Sequence, residues 1–303
     1  MAELSASLAD GLDQARIRYV DVEGVRTRYY ETGAGEPLVL LHGGHFGFID
    51  SLDCWSLNFA GLAEHFDVYA PDKLGQGFTG NPKREADYTF EALLQHTVGW
   101  FRALDITRAH LVGHSRGGLL VAALALEHPE LAKTALIVDS GTLAPGDPRY
   151  LLGRFYEEIE RRIPPGLPTR ETVRMEPDAN SYSTEHVTDD FVARYLEIAR
   201  LAKTQEAQQR MKTLSDSIWT PSLGRKKEQS LRMIDERGLP APTLVIWGFN
   251  DPSAPLPLGV SLFERISART PLAELHVLNQ AGHYCFREHP REFNRLLRSF
   301  CVG

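Results

Sequence analysis

Gly113-His114-Ser115-Arg116-Gly117 places a serine between two glycines, each two positions away. The run before it, 110–112, is apolar and reads as a buried strand. The run after it, 118–126, is apolar at nearly every position and reads as a helix buried on all sides, stopped near Pro129. Strand, tight turn and helix with serine at the apex is the geometry of an exposed nucleophile. A turn that sharp strains the backbone, and small residues on either side make room for it. The N–H groups at the helix start then face the place where negative charge develops on a substrate.

A hydroxyl is a poor nucleophile near neutral pH and needs a base. His283, in the loop after the last strand-like run, is the candidate. His42, His45 and His114 fall near the same place, in segments that read as built for backbone geometry. The base in turn needs a carboxylate to orient it. Asp251, after the run 243–247, gives the order Ser, Asp, His that accompanies a strand–turn–helix nucleophile. Asp139, after the preceding strand, is its rival, and Asp72 in a Gly-rich turn reads as structural. Oxyanion donors are expected from the backbone N–H of Arg116 and from that of Gly44 in His42-Gly43-Gly44, where glycine permits close approach. The Arg116 side chain has two readings, a receptor for a substrate carboxylate and a structural ion pair. There is no G-x-G-x-x-G, no phosphate loop and no metal-ligand spacing, so neither cofactor nor metal is expected.

These groups need elements that bring them together. Residues 1 to about 15 read as a loose arm. A hairpin is expected from 16–22 and 25–31 across Glu23-Gly24, then a buried strand at 37–41, a helix at 55–66 and a strand at 67–70. Phe90, Leu93, Leu94, Thr97, Val98, Phe101 and Leu104 recur at helical spacing behind a Thr89 cap. Further strands are expected at 134–138, 243–247 and 275–278, and helices near 262–266 and from about 290 to 300. From Pro145 to Arg237 the chain is charged and helical in pattern, which reads as an inserted lid dividing a core of 1–144 and 238–303. Buried strands alternating with helices predict an α/β fold, a mostly parallel open sheet covered on both faces. Ligands bind such sheets outside the carboxyl ends of the strands. His42, Asp72, Ser115, Asp139, Asp251 and His283 all follow strand ends, so one site is expected.

The 303 residues are 43% hydrophobic and 24% charged, ordinary for a globular enzyme, and the net charge of −7 argues against a nucleic-acid partner. Cys54, Cys285 and Cys301 form an odd set without zinc spacing, which fits a reduced cytoplasm. No signal sequence and no apolar run of about 18 residues is visible, so no membrane span is expected.

L-L-H-G-G at 40–44, P-D-K-L-G-Q-G-F at 71–78, G-H-S-R-G-G at 113–118, W-G-F-N-D at 247–251 and A-G-H-Y at 281–284 together resemble the lid-bearing α/β-hydrolases. Within these, the chain is most similar to the meta-cleavage product hydrolases, which cut a carbon–carbon bond in 2-hydroxy-6-oxohexa-2,4-dienoate-type compounds. The resemblance rests on the H-G-G loop with Gly47 and Trp55, on the closing stretch through E-H-P-R-E-F-N-R-L, and on V-T-D-D-F-V-A-R-Y-L-E in the lid. It implies a carboxylate-bearing dienoate as substrate, a homo-oligomer, Arg194 on the substrate carboxylate, and substrate contacts from Tyr284, His114 and Gly43. The family often has Asn where this chain has His114, an apolar residue where it has Arg116, and Trp where it has Tyr284. An ester or lactone hydrolase using the same three residues, and a non-catalytic small-molecule binder on the same fold, are the other classes the sequence allows.

Overall fold

The computed structural model describes residues 12–150 and 152–303. Most of the expected N-terminal arm, residues 1–11, lies outside the described residues. Eight strands form one sheet: β1 Ile17–Val22, β2 Val25–Gly33, β3 Glu36–Leu41, β4 Phe66–Pro71, β5 Ala109–His114, β6 Ala132–Val138, β7 Thr243–Gly248 and β8 Ala273–Leu278. Their spatial order is β1-β2-β4-β3-β5-β6-β7-β8. The β1–β2 and β2–β4 pairs are antiparallel, and from β4 onward every pair is parallel. The β1–β2 turn falls on Glu23 and Gly24, both at positive φ, as a tight hairpin with right-handed strand twist requires.

Eleven helices accompany the strands among the described residues: α1 Phe59–Ala63, α2 Phe90–Ala103, α3 Arg116–Glu127, α4 Leu152–Arg162, α5 Arg170–Ala179, α6 Asp189–Arg200, α7 Ala202–Leu214, α8 Thr220–Arg237, α9 Leu256–Ser267, α10 Cys285–Glu288 and α11 Pro290–Val302. The central strands β5 and β7 are buried at all six positions, because helices cover both faces. Side chains alternate between two cores: Val39, Leu41, Leu111, Val245 and Trp247 pack on one side, and Leu38, Leu40, Val112, Leu244 and Ile246 on the other. The edge strands β1 and β8 are largely solvent-facing. Helices α4–α8 all lie between β6 and β7 in the chain, an inserted helical region. The prolines at 164, 165 and 168 fall in the gap between α4 and α5. The Thr89 hydroxyl accepts from the Ala92 N–H and caps α2 as the pattern predicts.

The helix expected at 55–66 is not formed as one element. Leu52–Trp55 is a 3-10 turn, α1 covers only Phe59–Ala63, and Phe66 already belongs to β4. Tertiary contacts override the helical pattern here. Arg28 holds the Asp53 carboxylate at 2.7 Å, and the Trp55 ring stacks on Phe286 at 4.2 Å between centroids. Asn58 donates to the Phe286 carbonyl and to Asn294.

Candidate active site

The site forms where the strand order reverses. After β3 the chain turns to β4 on one side and then crosses to β5 on the other, so β3 and β5 are neighbours with Leu41 opposite Gly113. Such switch points open a crevice at the carboxyl ends of the strands. The loop after β3, carrying Gly43 and Gly44, therefore lies beside the turn after β5, carrying Ser115.

Ser115 has φ 54° and ψ −120°, a strained conformation for a residue with a side chain. It is held there from both sides: its N–H donates to the Val138 carbonyl at 2.8 Å, and its own carbonyl accepts from the Ser140 hydroxyl at 2.6 Å. A Cβ on Gly113 would lie 2.1 Å from the Gly117 carbonyl oxygen, and one on Gly117 would lie 2.3 Å from the Leu41 carbonyl oxygen. Both glycines are thus required by the close approach of α3 to the sheet. Arg116 is the first residue of α3, so its N–H has no intrahelical acceptor.

His283 and Asp251 are brought together as expected. The His283 Nδ1–H donates to Asp251 Oδ2 at 2.6 Å, and both side chains are buried. Asp251 Oδ1 accepts the N–H groups of Ser253 and Ala254, each at 2.8 Å, which fixes the carboxylate's orientation. Burial alone would lower the imidazole pKa. The Asp251 charge and hydrogen bond outweigh it, with Asp139 and Glu176 adding to them, and raise it to about 9. The rival Asp139 also lies close to the pair, but its Oδ1 accepts the Gly248 N–H at 2.8 Å. Burial, then the neighbouring Asp251 charge, push its carboxyl well above the usual range.

Two cavities meet at the serine. Ser115, Arg116, Phe48, Tyr156 and His283 border both of them. The outer cavity, about 560 Å³, runs between α4 and α8 past Trp219 and Lys227. The inner chamber has room for about 20 Å³ and is lined by Gly44, Asp50, His114, Glu176 and Tyr284. Arg116 makes no ion pair among the described residues. Its Nε is buried without a hydrogen-bond partner, and its guanidinium lies 5.7 Å from the Phe48 ring centre. Burial lowers its pKa, opposed by Tyr156 and Asp50, yet a guanidinium stays charged at any ordinary pH. The structural ion pair that the sequence allowed is not formed among the described residues.

His114 and Tyr284 both line the inner chamber. The His114 Nε2–H donates to the His283 carbonyl at 2.9 Å, and the Tyr284 hydroxyl donates to Glu176 at 2.7 Å. Gly43 sits against the nucleophile, where an added Cβ would lie 3.1 Å from Ser115 Cβ. Gly44 has φ +72°, and its carbonyl accepts from the buried Lys73 ammonium at 3.1 Å. Arg194 is not brought to the site. It pairs with Asp53 at 3.3 Å and with Glu197, and it borders a separate cleft with Ser56 and Asp190. Two buried-core neighbours explain the displacement: α6 turns Phe191 and Tyr195 inward, leaving Arg194 toward the rim. His42 and Asp72 are also spent elsewhere, His42 Nε2 accepting from the Lys73 N–H and Asp72 accepting from Arg28, Leu52 and Phe78. The structural reading of Asp72 agrees with this placement. No cluster of three or more His, Cys, Asp or Glu side chains suited to a metal occurs among the described residues.

Asp50, Glu176 and Tyr156 went unremarked in the sequence. Only the position of Asp50, six residues beyond Gly44, hinted at the site; Glu176 looks like any charge on an amphipathic helix.

A sequence profile of the Alpha/beta hydrolase family matches residues 38–296. The chain belongs to that family. This alpha/beta hydrolase is 30% identical over 283 residues to a 2-hydroxymuconate semialdehyde hydrolase of Pseudomonas sp. (strain CF600), covering 93% of each chain. It is 27% identical to a 2-hydroxy-6-oxo-2,4-heptadienoate hydrolase of Pseudomonas putida, covering 94% of this chain and 96% of the relative. Among solved structures, the meta-cleavage product hydrolase from Pseudomonas fluorescens IP01 superposes with a TM-score of 0.76 at 28% identity, over 95% of this chain and 98% of that one. No helix among the described residues is long and apolar enough to cross a membrane.

Proposed function

We propose that this alpha/beta hydrolase is a serine enzyme that cleaves a carbon–carbon bond beside a ketone in a 2-hydroxy-6-oxo-2,4-dienoate-type compound from aromatic ring cleavage. The observation that carries the reading is the Arg116 guanidinium beside Ser115, which has no ion pair among the described residues and whose Nε is buried without a hydrogen-bond partner. A desolvated cation without a partner is costly, and a substrate carboxylate is the group that would relieve it. The names of the relatives, each a hydrolase of such a compound, support the same reading.

In this account the dienol is first ketonised. The Ser115 hydroxyl attacks the ketone carbon and its proton passes to His283, which Asp251 holds in the right tautomer. The oxyanion rests on the N–H groups of Arg116 and Gly44. The carbon–carbon bond then breaks, its electron pair leaving with the dienoate fragment, which takes the proton from His283. Water, with His283 as base, releases the acyl group from Ser115. The products are a 2-hydroxypentadienoate and a carboxylic acid, and no cofactor takes part. The reading sets the enzyme in the cytoplasm as a homo-oligomer, a setting that fits the free thiols of Cys54, Cys285 and Cys301.

Arg116→Leu tests the carboxylate assignment. KM for a yellow dienoate is expected to rise by about 30-fold or more, roughly 2 kcal/mol of lost binding, while kcat/KM for an uncharged aryl ester falls far less. Equal losses on both substrates would contradict it. An ester or lactone hydrolase is the second reading, favoured by one specific observation: the inner chamber presents Asp50 and Glu176, not Arg194, to the ligand.

A further inference from the structure

Gly43 and Gly44 share a peptide unit whose carbonyl belongs to Gly43 and whose N–H belongs to Gly44, the donor assigned to the oxyanion. No cis peptide occurs among the described residues, so this N–H points opposite to that carbonyl. With glycine on both sides, little steric cost opposes rotation of the whole peptide plane. A half-turn would replace the donor by a carbonyl oxygen, and an acceptor would then face the developing negative charge.

Side chains grip this unit from behind. The His42 Nδ1–H donates to the Gly43 carbonyl at 2.9 Å, and the Gln76 Nε2–H donates to it at 3.2 Å. The next carbonyl, that of Gly44, accepts from Lys73 Nζ at 3.1 Å. His42, Lys73 and Gln76 are all buried. The Lys73 N–H donates to His42 Nε2 at 3.1 Å, which sets the tautomer that donates from Nδ1, and burial holds the ring neutral. Gln76 also closes on Gly44 itself, where an added Cβ would lie 2.7 Å from Gln76 Nε2 and 2.4 Å from Asp50 Oδ2.

Lys73 and Gln76 come from the loop after β4, which holds its own shape through other bonds. The Gln76 N–H donates to the Lys73 carbonyl at 3.0 Å, the Gly75 N–H to the Gly80 carbonyl at 2.9 Å and the Thr79 N–H to the Gln76 carbonyl at 3.0 Å. Asp72 accepts the Phe78 N–H at 2.8 Å. The Gln76 Oε1 is buried without a partner, so the amide's one bond among the described residues is the bond to Gly43. A buried amide left half satisfied costs stability, and the group it serves is the oxyanion donor. Neither Lys73 nor Gln76 borders the outer cavity or the inner chamber.

We propose that Gln76 is a positioning residue for the oxyanion hole, which together with Lys73 locks the Gly43–Gly44 peptide so that the Gly44 N–H faces the reacting carbonyl oxygen. Donors on the Gly43 carbonyl also polarise the peptide and strengthen that N–H as a donor. The Gly-rich stretch at 71–78 thus acts on the reaction through the H-G-G loop, without touching substrate.

The inference rests on Ser115 as nucleophile and Gly44 as donor, but not on the bond that is cut, so 4-nitrophenyl butyrate serves as substrate. Gln76→Leu should lower kcat by ~10- to 10²-fold with KM changed by less than about twofold. Two inhibitors separate positioning from general loosening of the site. The Ser115 hydroxyl adds to an alkyl trifluoromethyl ketone to give a hemiketal oxyanion, whereas the matching methyl ketone binds as the ketone. Gln76→Leu should weaken the first by the same factor as kcat and leave the second unchanged. Gln76→Glu keeps the side-chain shape and sets a carboxylate against the Gly43 carbonyl; where the leucine variant does not fold, it should show the same pattern. A kcat within about threefold of wild type, or equal weakening of both ketones, overturns the proposal. A trifluoromethyl ketone that binds the wild type no more tightly than its methyl analogue would instead remove Ser115 as nucleophile and the proposal with it. Failure of the enzyme on every dienoate would count against carbon–carbon cleavage and would leave this comparison intact.

Discussion

At the scale of single residues, the chemistry follows from a few side chains held in one orientation. Ser115→Ala should lower kcat on every substrate by at least ~10⁴-fold with thermal unfolding unchanged; turnover within tenfold of wild type would remove the nucleophile from the account. His283 sits at about 9, so the neutral base becomes the major form only above that pH, and kcat/KM should climb with pH up to about 9. Asp251→Asn removes the charge that holds the imidazolium. It should move this limb downward in pH and cost ~10²–10⁴-fold in kcat; a limb left at about 9 would show that Asp139 or Glu176 sets the value instead. Ser115, Asp251 and His283 were legible because residue type, spacing and strand-end position agree. Asp50 and Glu176 were not, since an acidic residue in a loop or on an amphipathic helix reads as solvated until packing turns it inward. Arg194 was misplaced for the converse reason. A helix motif gives register but not which neighbour captures the side chain, and here Asp53 and Glu197 do.

At the scale of elements, the nucleophile turn depends on backbones meeting where no Cβ fits. Gly113→Ala would drive a methyl into the Gly117 carbonyl at 2.1 Å, and it should destabilise the protein by about 3 kcal/mol or more. Denaturant unfolding reads this, and a loss under ~1 kcal/mol would mean that α3 can move off the sheet. The loop bearing His283 has a different support. Glu288 accepts the Gly282 N–H at 2.7 Å and those of Tyr182 and Ser183 at 3.0 and 2.8 Å, and the His283 N–H donates to the Asn180 carbonyl at 2.8 Å. The base is thereby tied to the inserted helical region. Glu288→Ala leaves three N–H groups without that partner, and kcat should fall by ~10-fold with a smaller change in KM. An unchanged kcat would show that the loop keeps its place without the tie. Strand positions were read within a few residues, because buried apolar runs have few alternative meanings. The helix at 55–66 was misread, since its periodicity reflects docking of Trp55 and Phe59 into the core and not a continuous helix.

At the scale of the whole molecule, the sheet order places the site and buried charge locks the sheet's first half. The alternation of strands and helices foretold a parallel open sheet. The β1–β2 hairpin was legible from its turn, but the antiparallel β2–β4 pairing and the reversal between β3 and β5 are pairings over long sequence distance, which no local pattern records. Arg28 on β2 bridges Asp53 at 2.7 Å and Asp72 at 3.2 Å, all three buried. Arg28→Leu would leave two buried carboxylates uncompensated and should cost about 3–5 kcal/mol in unfolding free energy; a value near zero would show that the bridge does not hold this half of the sheet. Stability should also depend on pH through His283. Its pKa lies above the usual 6.5, so the stabilising contribution is complete below about pH 6.5 and is lost as pH rises through about 9.

The measurement that tests the central claim most directly is steady-state turnover of a 2-hydroxy-6-oxo-2,4-dienoate and of a short-chain aryl ester by the same wild-type protein. The account predicts that kcat/KM for the dienoate exceeds that for the ester by ~10²-fold or more, about 2.7 kcal/mol of selective transition-state stabilisation, with 2-hydroxypentadienoate and a carboxylic acid as products. Turnover of the ester alone would contradict it and leave an esterase built on Ser115, Asp251 and His283.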